Sequence, residues 1–308
     1  MKTKFAFKVP RRKQVRMIVH ADCKNEADDQ YALVHHLLTP KFQVKGIIAG
    51  HFDSNPREYG KGHTAEASLE EIRKVLKLMG AKDDYPLFKG AEKPLLDENT
   101  PQLSEGCDFI IQEAMREDSC PLFIAMQGAV TDLASAILLK PEISERMTAI
   151  WIGGGAYPEG GSEFNLKNDI AAANVIMQSG MPIWQVPQNV YKQVAVSLAE
   201  LQYHVRPCGA IGKYLFDQLI AFNMASGRNK DWPNGESWTL GDNPTIGVLL
   251  DEKERTDLYE IRPAPRFSYE DMRYEEVADA PEIRVYKQVN DRLILQDLFA
   301  KLAINFGE

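Results

Sequence analysis

Cysteine is scarce in this chain: its 308 residues contain four, Cys23, Cys107, Cys120 and Cys208. None pairs as Cys-x-x-Cys, and their scatter supports neither a zinc cluster nor a disulfide framework. They read as reduced thiols, which gives a cytoplasmic expectation. Long apolar runs are missing too; nothing approaches the roughly 20 consecutive residues that a bilayer span requires. The basic opening, MKTKFAFKVPRRKQVRMIVHAD, lacks the apolar stretch of a secretory signal. Positive charge is in deficit, with 36 Lys and Arg against 44 Asp and Glu and a formal net charge of -8. Nucleic acids and anionic membranes need basic patches that displace counterions, so neither is expected as a partner. Internal repeats and low-complexity stretches are absent as well. What remains is an ordinary mixture, 44% hydrophobic and 26% charged, sufficient for a sizeable core around a small-molecule site.

The apolar pattern alternates between two periods. Short runs at residues 17–20, 44–50, 86–90, 122–126, 149–152 and 182–186 read as strands. Residues 29–38, with Ala32, Leu33 and Leu37 on one face, read as a helix, as do 64–79 (closed by Gly80), 109–115, 132–139 and 171–177. This alternation predicts an α/β fold with a mostly parallel central sheet and helices on both faces. Residues 198–223 read as helical, broken near Pro207-Cys208-Gly209, and 227–241 as an irregular excursion. Beyond Leu258, short strand-like runs lead to a closing helix near residues 293–303. No shift in composition divides the chain, so residues 1–308 are expected to form one large domain.

The most informative stretch is IVHADCKNEADDQYAL, residues 18–33. An apolar strand ends, and Asp22, Glu26, Asp28 and Asp29 follow in one loop ahead of an amphipathic helix. In a parallel α/β sheet, ligands sit beyond the carboxyl ends of the strands, where this loop emerges. Carboxylates crowded there repel one another unless a cation neutralises them, and hard oxygen ligands suit Ca²⁺ or Mg²⁺ better than Zn²⁺. Helix capping is the competing reading, worth ~0.3–1 kcal/mol for each aspartate at a helix N-terminus. Capping accounts for Asp28 or Asp29, but not for Asp22 at the strand end.

The run Asp22-Cys23-Lys24-Asn25-Glu26-Ala27-Asp28-Asp29 resembles the acidic loop of the inosine-uridine nucleoside hydrolase family, in the branch with a longer loop. Asp22 aligns with the second strand-end Asp of that family, and His20 stands where the first usually is. Four further segments match in order: PLFKGAEKPL (86–95), AMQGAVTDLASAILLKPEI (125–143), IWIGGGAYPEGGSEFNLKNDIAAANVI (150–176) and GDNPTIGVLLD (241–251). The resemblance implies a Rossmann-like core, Ca²⁺ as cofactor, and hydrolysis of an N-riboside such as a ribonucleoside to ribose and free base. It also implies a homodimer or homotetramer. It assigns the metal to Asp22, Asp29, Asp242 and the carbonyl of Gln127, with Asp22 as general base. Asp28 would take a ribose hydroxyl or the attacking water, and Glu163 and Asn165 would bind ribose. Asp53 falls at a ribose-contacting Asn of the family. His51 beside it reads equally as a proton donor or as a loop histidine, and Glu163 has the alternative of a solvated loop residue.

The chemistry fits those residue types. Breaking an N-glycosidic bond passes through an oxocarbenium-like sugar, so a nucleophile is needed on one face and help for the leaving base on the other. Several departures concern the second requirement. Gly241 replaces the histidine that some family members use to protonate the base. Stacking on an aromatic ring is the alternative, with Trp238 and Trp232 as candidates in a Pro/Gly-rich loop, although large aromatics also anchor loops to cores. Trp151 and Trp184 lie in strand patterns and are expected in the core. The loop before Glu163 is short, leaving no counterpart for an Asn that holds the ribose 5′-hydroxyl. These departures keep open a Ca²⁺-dependent ribose- or nucleoside-binding protein without turnover. A phosphotransferase of the haloacid dehalogenase type would need an acid two residues after Asp22, where Lys24 stands.

Overall fold

Strand β1 (Val15–Ala21) is buried along its whole length, as an aliphatic strand between two packed layers must be. In the computed structural model, which describes residues 3–226, 235–251 and 255–307, β1 lies inside an eight-stranded sheet. Strands β2 (Phe42–Ala49) and β3 (Leu87–Lys89) extend it on one side. On the other lie β4 (Leu122–Met126), β5 (Met147–Ile152) and β6 (Ile183–Val186). The short strands β7 (Ala195–Ser197) and β8 (Ser237–Thr239) form a separate antiparallel pair. Strand β9 (Tyr259–Pro263) is an edge of the main sheet, β10 (Arg266–Phe267) pairs with β11 (Tyr274–Glu275), and β12 (Glu282–Tyr286) joins β6 to β9. The order is β3-β2-β1-β4-β5-β6-β12-β9, parallel throughout except for β9 against β12.

Eleven α-helices are described: α1 (Asp29–Leu37), α2 (Thr64–Leu78), α3 (Glu105–Met115), α4 (Thr131–Leu139), α5 (Phe164–Asn168), α6 (Ile170–Gln178), α7 (Gln188–Tyr191), α8 (Leu198–His204), α9 (Gly209–Ser226), α10 (Pro244–Leu250) and α11 (Asp291–Phe306). Successive strand residues face opposite ways. Met17, Val19, Phe123 and Ala125 therefore join one core layer with α1, α2, α9, α10 and α11. Ile18, Ile124 and Met126 join the other with α3, α4 and α6. The expected single α/β domain with helices on both faces is thus the architecture found. Helix α3 starts ahead of residue 109 because the Ser104 hydroxyl caps it, accepting from the Cys107 N–H at 2.9 Å. The 227–241 excursion contributes β8, while Trp232 lies outside the described residues. Among the described residues no helix is long and apolar enough to cross a membrane.

The strand order reverses between β1 and β4. A crevice opens beyond the carboxyl ends of the strands at such a switch point, and Asp22 and Gln127 are the residues that follow these two strands.

Candidate active site

Asp22 emerges directly from β1 and is completely buried. Its Oδ2 accepts from the Asn25 side chain at 2.9 Å, while Oδ1 has no partner. The loop then returns to Asp28 and Asp29 at the start of α1. Asp28 makes no side-chain bond to cap the helix; its Oδ2 instead accepts the Gly241 N–H at 2.8 Å. Both oxygens of Asp29 are buried without a partner. Capping therefore does not explain these acids. Asp242, on the loop leading into α10, completes the group: carboxylate oxygens of Asp28, Asp29 and Asp242 lie within 4.8 Å of one another.

Burial pushes the Asp22 carboxyl up to about 7, against the opposing hydrogen bond from Asn25. Burial likewise raises Asp28 to about 6, against several backbone N–H groups. Asp29 and Asp242 are raised by burial first, then by the neighbouring negative charges. Buried anionic oxygens without donors are costly unless a counter-charge meets them. The donor set, hard and oxygen-only, fits a divalent cation such as Ca²⁺. The geometry thus gathers Asp29 and Asp242 as expected and adds Asp28 to them. Asp22 stands alongside, pressed against the next turn, where a Cβ on Gly128 would lie 2.5 Å from its Cγ. Gln127 is held by its N–H to the His20 carbonyl at 2.9 Å. Its own carbonyl accepts from Asn165 Nδ2 at 3.3 Å.

The glycine-rich loop after β5 meets this group at Gln127. Glu163 is 2% exposed, which removes the solvated-loop alternative. Its Oε1 accepts from the Asn165 N–H at 3.1 Å and the Tyr191 hydroxyl at 2.8 Å. Its Oε2 accepts from the N–H groups of Gly154 at 3.0 Å and Leu166 at 2.9 Å. Burial raises this carboxyl, while these donors oppose the rise. Asn165 Nδ2 also donates to the Ile152 carbonyl at 2.9 Å, so one amide ties β5 to the turn after β4. Gly154 has φ +83°, and a Cβ there would come within 2.6 Å of Gln185 Nε2; only glycine suits both conditions.

The family model described as inosine-uridine preferring nucleoside hydrolase matches residues 17–290. The chain belongs to this family. Among its curated relatives, the pyrimidine-specific ribonucleoside hydrolase RihA of Salmonella paratyphi A is 27% identical over 236 residues, covering 68% of this chain and 72% of that protein. Two solved structures share the fold. The purine-preferring ribonucleoside hydrolase from Gardnerella vaginalis superposes with a TM-score of 0.73 at 16% identity, covering 94% of this chain and 98% of its own. A plant nucleoside hydrolase gives 0.71 at 17% identity with the same coverage.

Within this nucleoside hydrolase three of the expected substrate contacts, His51, Asp53 and Trp238, have protein partners of their own. His51 is buried, with Nε2 2.7 Å from the Thr131 hydroxyl, which itself donates to Asp169 Oδ2 at 2.6 Å. That hydroxyl proton being spent, His51 Nε2–H is the donor to Thr131, and Nδ1 faces the Asp53 N–H at 3.4 Å. Burial lowers the imidazole to about 4. His51 is thus a neutral structural link, not a free proton donor. Asp53 Oδ1 accepts from the Gly62 N–H at 2.7 Å, which commits that oxygen to its own loop. Trp238 is 5% exposed on β8 and packs edge-on against Phe222 at 5.6 Å. It therefore anchors the loop to the core rather than covering an open pocket. Trp151 is completely buried as expected, while Trp184 is half-buried, with the Arg284 guanidinium 4.0 Å from its ring centre.

Two residues escaped the sequence reading. Asp132 Oδ2 lies 2.9 Å from His20 Nε2, both groups being buried. Burial alone would raise the Asp132 carboxyl, but His20, Ser104 and the Ala91 N–H hold it below the ordinary aspartate range. His20, in the place of a family aspartate, thus has a buried hydrogen-bond partner on α4. Tyr191 is the second, reaching Glu163 from the end of α7. Asp132 lies in the quoted 125–143 segment but carries no local mark of its partner, and nothing around Tyr191 in sequence points to the site.

Proposed function

We propose that this nucleoside hydrolase cleaves the N-glycosidic bond of a ribonucleoside in a Ca²⁺-dependent reaction that yields ribose and the free base. The observation that carries this reading is the set of buried, donorless oxygens on Asp22 and Asp29, beside Asp28 and Asp242, at the switch point of the sheet. Asp22, Asp29, Asp242 and the Gln127 carbonyl would hold the ion. When bound, Ca²⁺ supplies a positive charge that keeps these carboxylates ionised together and acidifies water at the site.

The remaining work falls to the chain. Asp22, kept ionised beside the ion, would be the carboxylate that takes a proton from the attacking water. The water oxygen forms a bond to the anomeric carbon as its proton passes to Asp22, the carbon–nitrogen bond breaks, and the base departs with that electron pair and takes a proton from solvent. Asp28 orients a ribose hydroxyl, its carboxylate fixed by the Gly241 N–H. Glu163 and Asn165, locked by their own hydrogen bonds, present the ribose-facing wall already organised, so little ordering entropy is lost on binding. A nucleoside salvage role in the cytoplasm and assembly as a homodimer or homotetramer accompany this reading.

The relatives named above differ in base, one pyrimidine-specific and one purine-preferring, so the test is a panel of both nucleoside classes assayed for ribose release with Ca²⁺ and with EDTA. Turnover that EDTA abolishes supports the proposal. Saturable nucleoside binding without reducing sugar, motivated by Gly241 in place of an acid, would support the binding-protein reading instead.

A further inference from the structure

We propose that Tyr191 is the residue that faces the nucleobase, its ring occupying the space that Gly241 leaves open beside Asp28. The proposal rests on the nucleoside-hydrolase reading and adds a specificity-determining residue to it. Position 241 adjoins the acidic group, immediately before Asp242 and hydrogen-bonded to Asp28. A Cβ at this position would lie 3.0 Å from Tyr191 Cδ2, 3.5 Å from Cε2 and 3.4 Å from Asp28 Oδ2. No left-handed φ demands glycine here; a methyl would press on the Tyr191 ring, which would have to yield by a few tenths of an ångström. The bare position at 241 and the ring at 191 are therefore direct neighbours.

The ring is also held from its far end. Its hydroxyl donates to Glu163 Oε1 at 2.8 Å, and Glu163 is itself fixed by three backbone N–H groups. Tyr191 thus spans the gap between the acidic corner and the ribose-facing wall, half-buried. Burial and the nearby charges of Glu163 and Glu26 keep its phenol protonated. A rigid, uncharged aromatic face among carboxylates matches a neutral planar heterocycle far better than it matches a sugar hydroxyl. Trp238, buried in the core, leaves this role vacant.

Stacking of a base on an aromatic side chain is worth about 10- to 100-fold in binding by truncation. The test compares the wild type with Tyr191→Leu, Tyr191→Phe and Gly241→Ala, measuring Kd and kcat/KM for nucleosides and the inhibition constant of ribonolactone, which has ribose-like hydroxyls and no base. Relative to Tyr191→Phe, which shares the loss of the Glu163 bond, Tyr191→Leu should weaken nucleosides by about 10- to 100-fold and leave ribonolactone unchanged. Gly241→Ala, which displaces the ring without removing it, should reproduce part of this selective loss. Tyr191→Phe, which keeps the face and loses only the Glu163 bond, should lose less than Tyr191→Leu. Equal losses for nucleoside and ribonolactone, or no loss for either, overturn the proposal. If Tyr191→Leu fails to fold by circular dichroism, the same comparison with Gly241→Ala and Tyr191→Phe decides. A wild type that binds nucleosides without hydrolysing them sinks the hydrolase reading, yet the Kd comparison still judges Tyr191; one that binds no nucleoside overturns both.

Discussion

Both carboxylate oxygens of Asp29 are buried without a donor, and an uncompensated buried charge costs several kcal/mol even after the protein relaxes. Replacing it with a neutral isostere should therefore have opposite effects on the two forms of the protein. Asp29→Asn is expected to raise the melting temperature measured in EDTA and to abolish the rise that Ca²⁺ produces in the wild type. Scanning fluorimetry with and without the ion reads both. Asp22→Asn should instead lower kcat by about 10²–10⁴-fold while the fold survives, as steady-state assay beside circular dichroism would show. Asp22, Asp28 and Asp29 were visible in sequence because like charges clustered at a strand end require a common explanation; Asp242 was reached only through the family resemblance. His51 and Tyr191 were not legible in the same way. The partners that set their state, Thr131 and Asp169 for one and Glu163 and Gly241 for the other, come from distant segments.

At the level of elements, buried strands announce themselves as unbroken aliphatic runs, and β1, β2, β4, β5 and β6 all fall within or around the runs expected. Strand β8 does not, because three residues in a Pro/Gly-rich stretch carry no period of their own; its pairing with β7 and the contact of Trp238 with Phe222 supply its order. Removing that ring should act on stability. Trp238→Ala is expected to cost about 3–5 kcal/mol in urea unfolding while the KM of the remaining folded enzyme is unchanged. A selective rise in KM would return Trp238 to the substrate pocket. The turn after β4 is as tight as the core. Gly128→Ala places a methyl 2.5 Å from Asp22 Cγ, so it should weaken Ca²⁺ affinity by moving a carboxylate while leaving the secondary structure intact. Calorimetric titration checks it.

For the whole molecule, the acidic group links stability to pH. Asp22 and Asp28, ordinarily near 3.8, are raised to about 7 and about 6 in the fold. Between the ordinary value and these values, the native state holds protons that the unfolded chain has released. Stability without metal therefore falls as pH rises through that window. Ca²⁺ binding requires the ionised forms and so strengthens over the same range. The difference in melting temperature between Ca²⁺ and EDTA should widen from about pH 5 to about pH 7.5; a constant difference would contradict the metal assignment. The parallel architecture was legible from strand–helix alternation, and the -8 net charge agrees with a neutral small-molecule substrate. The hydrogen bond that ties Gly241 to Asp28 was not legible.

That closure has a kinetic consequence. The Asp28–Gly241 hydrogen bond joins residues 213 positions apart, and long loops of this kind are slow to close. The ion needs residues 28, 29 and 242 together, so a lanthanide probe in place of Ca²⁺ should stay dark while local helices form during refolding. Its luminescence should return only with the last cooperative phase, making ion capture a signal that the segments around residues 28 and 241 have met.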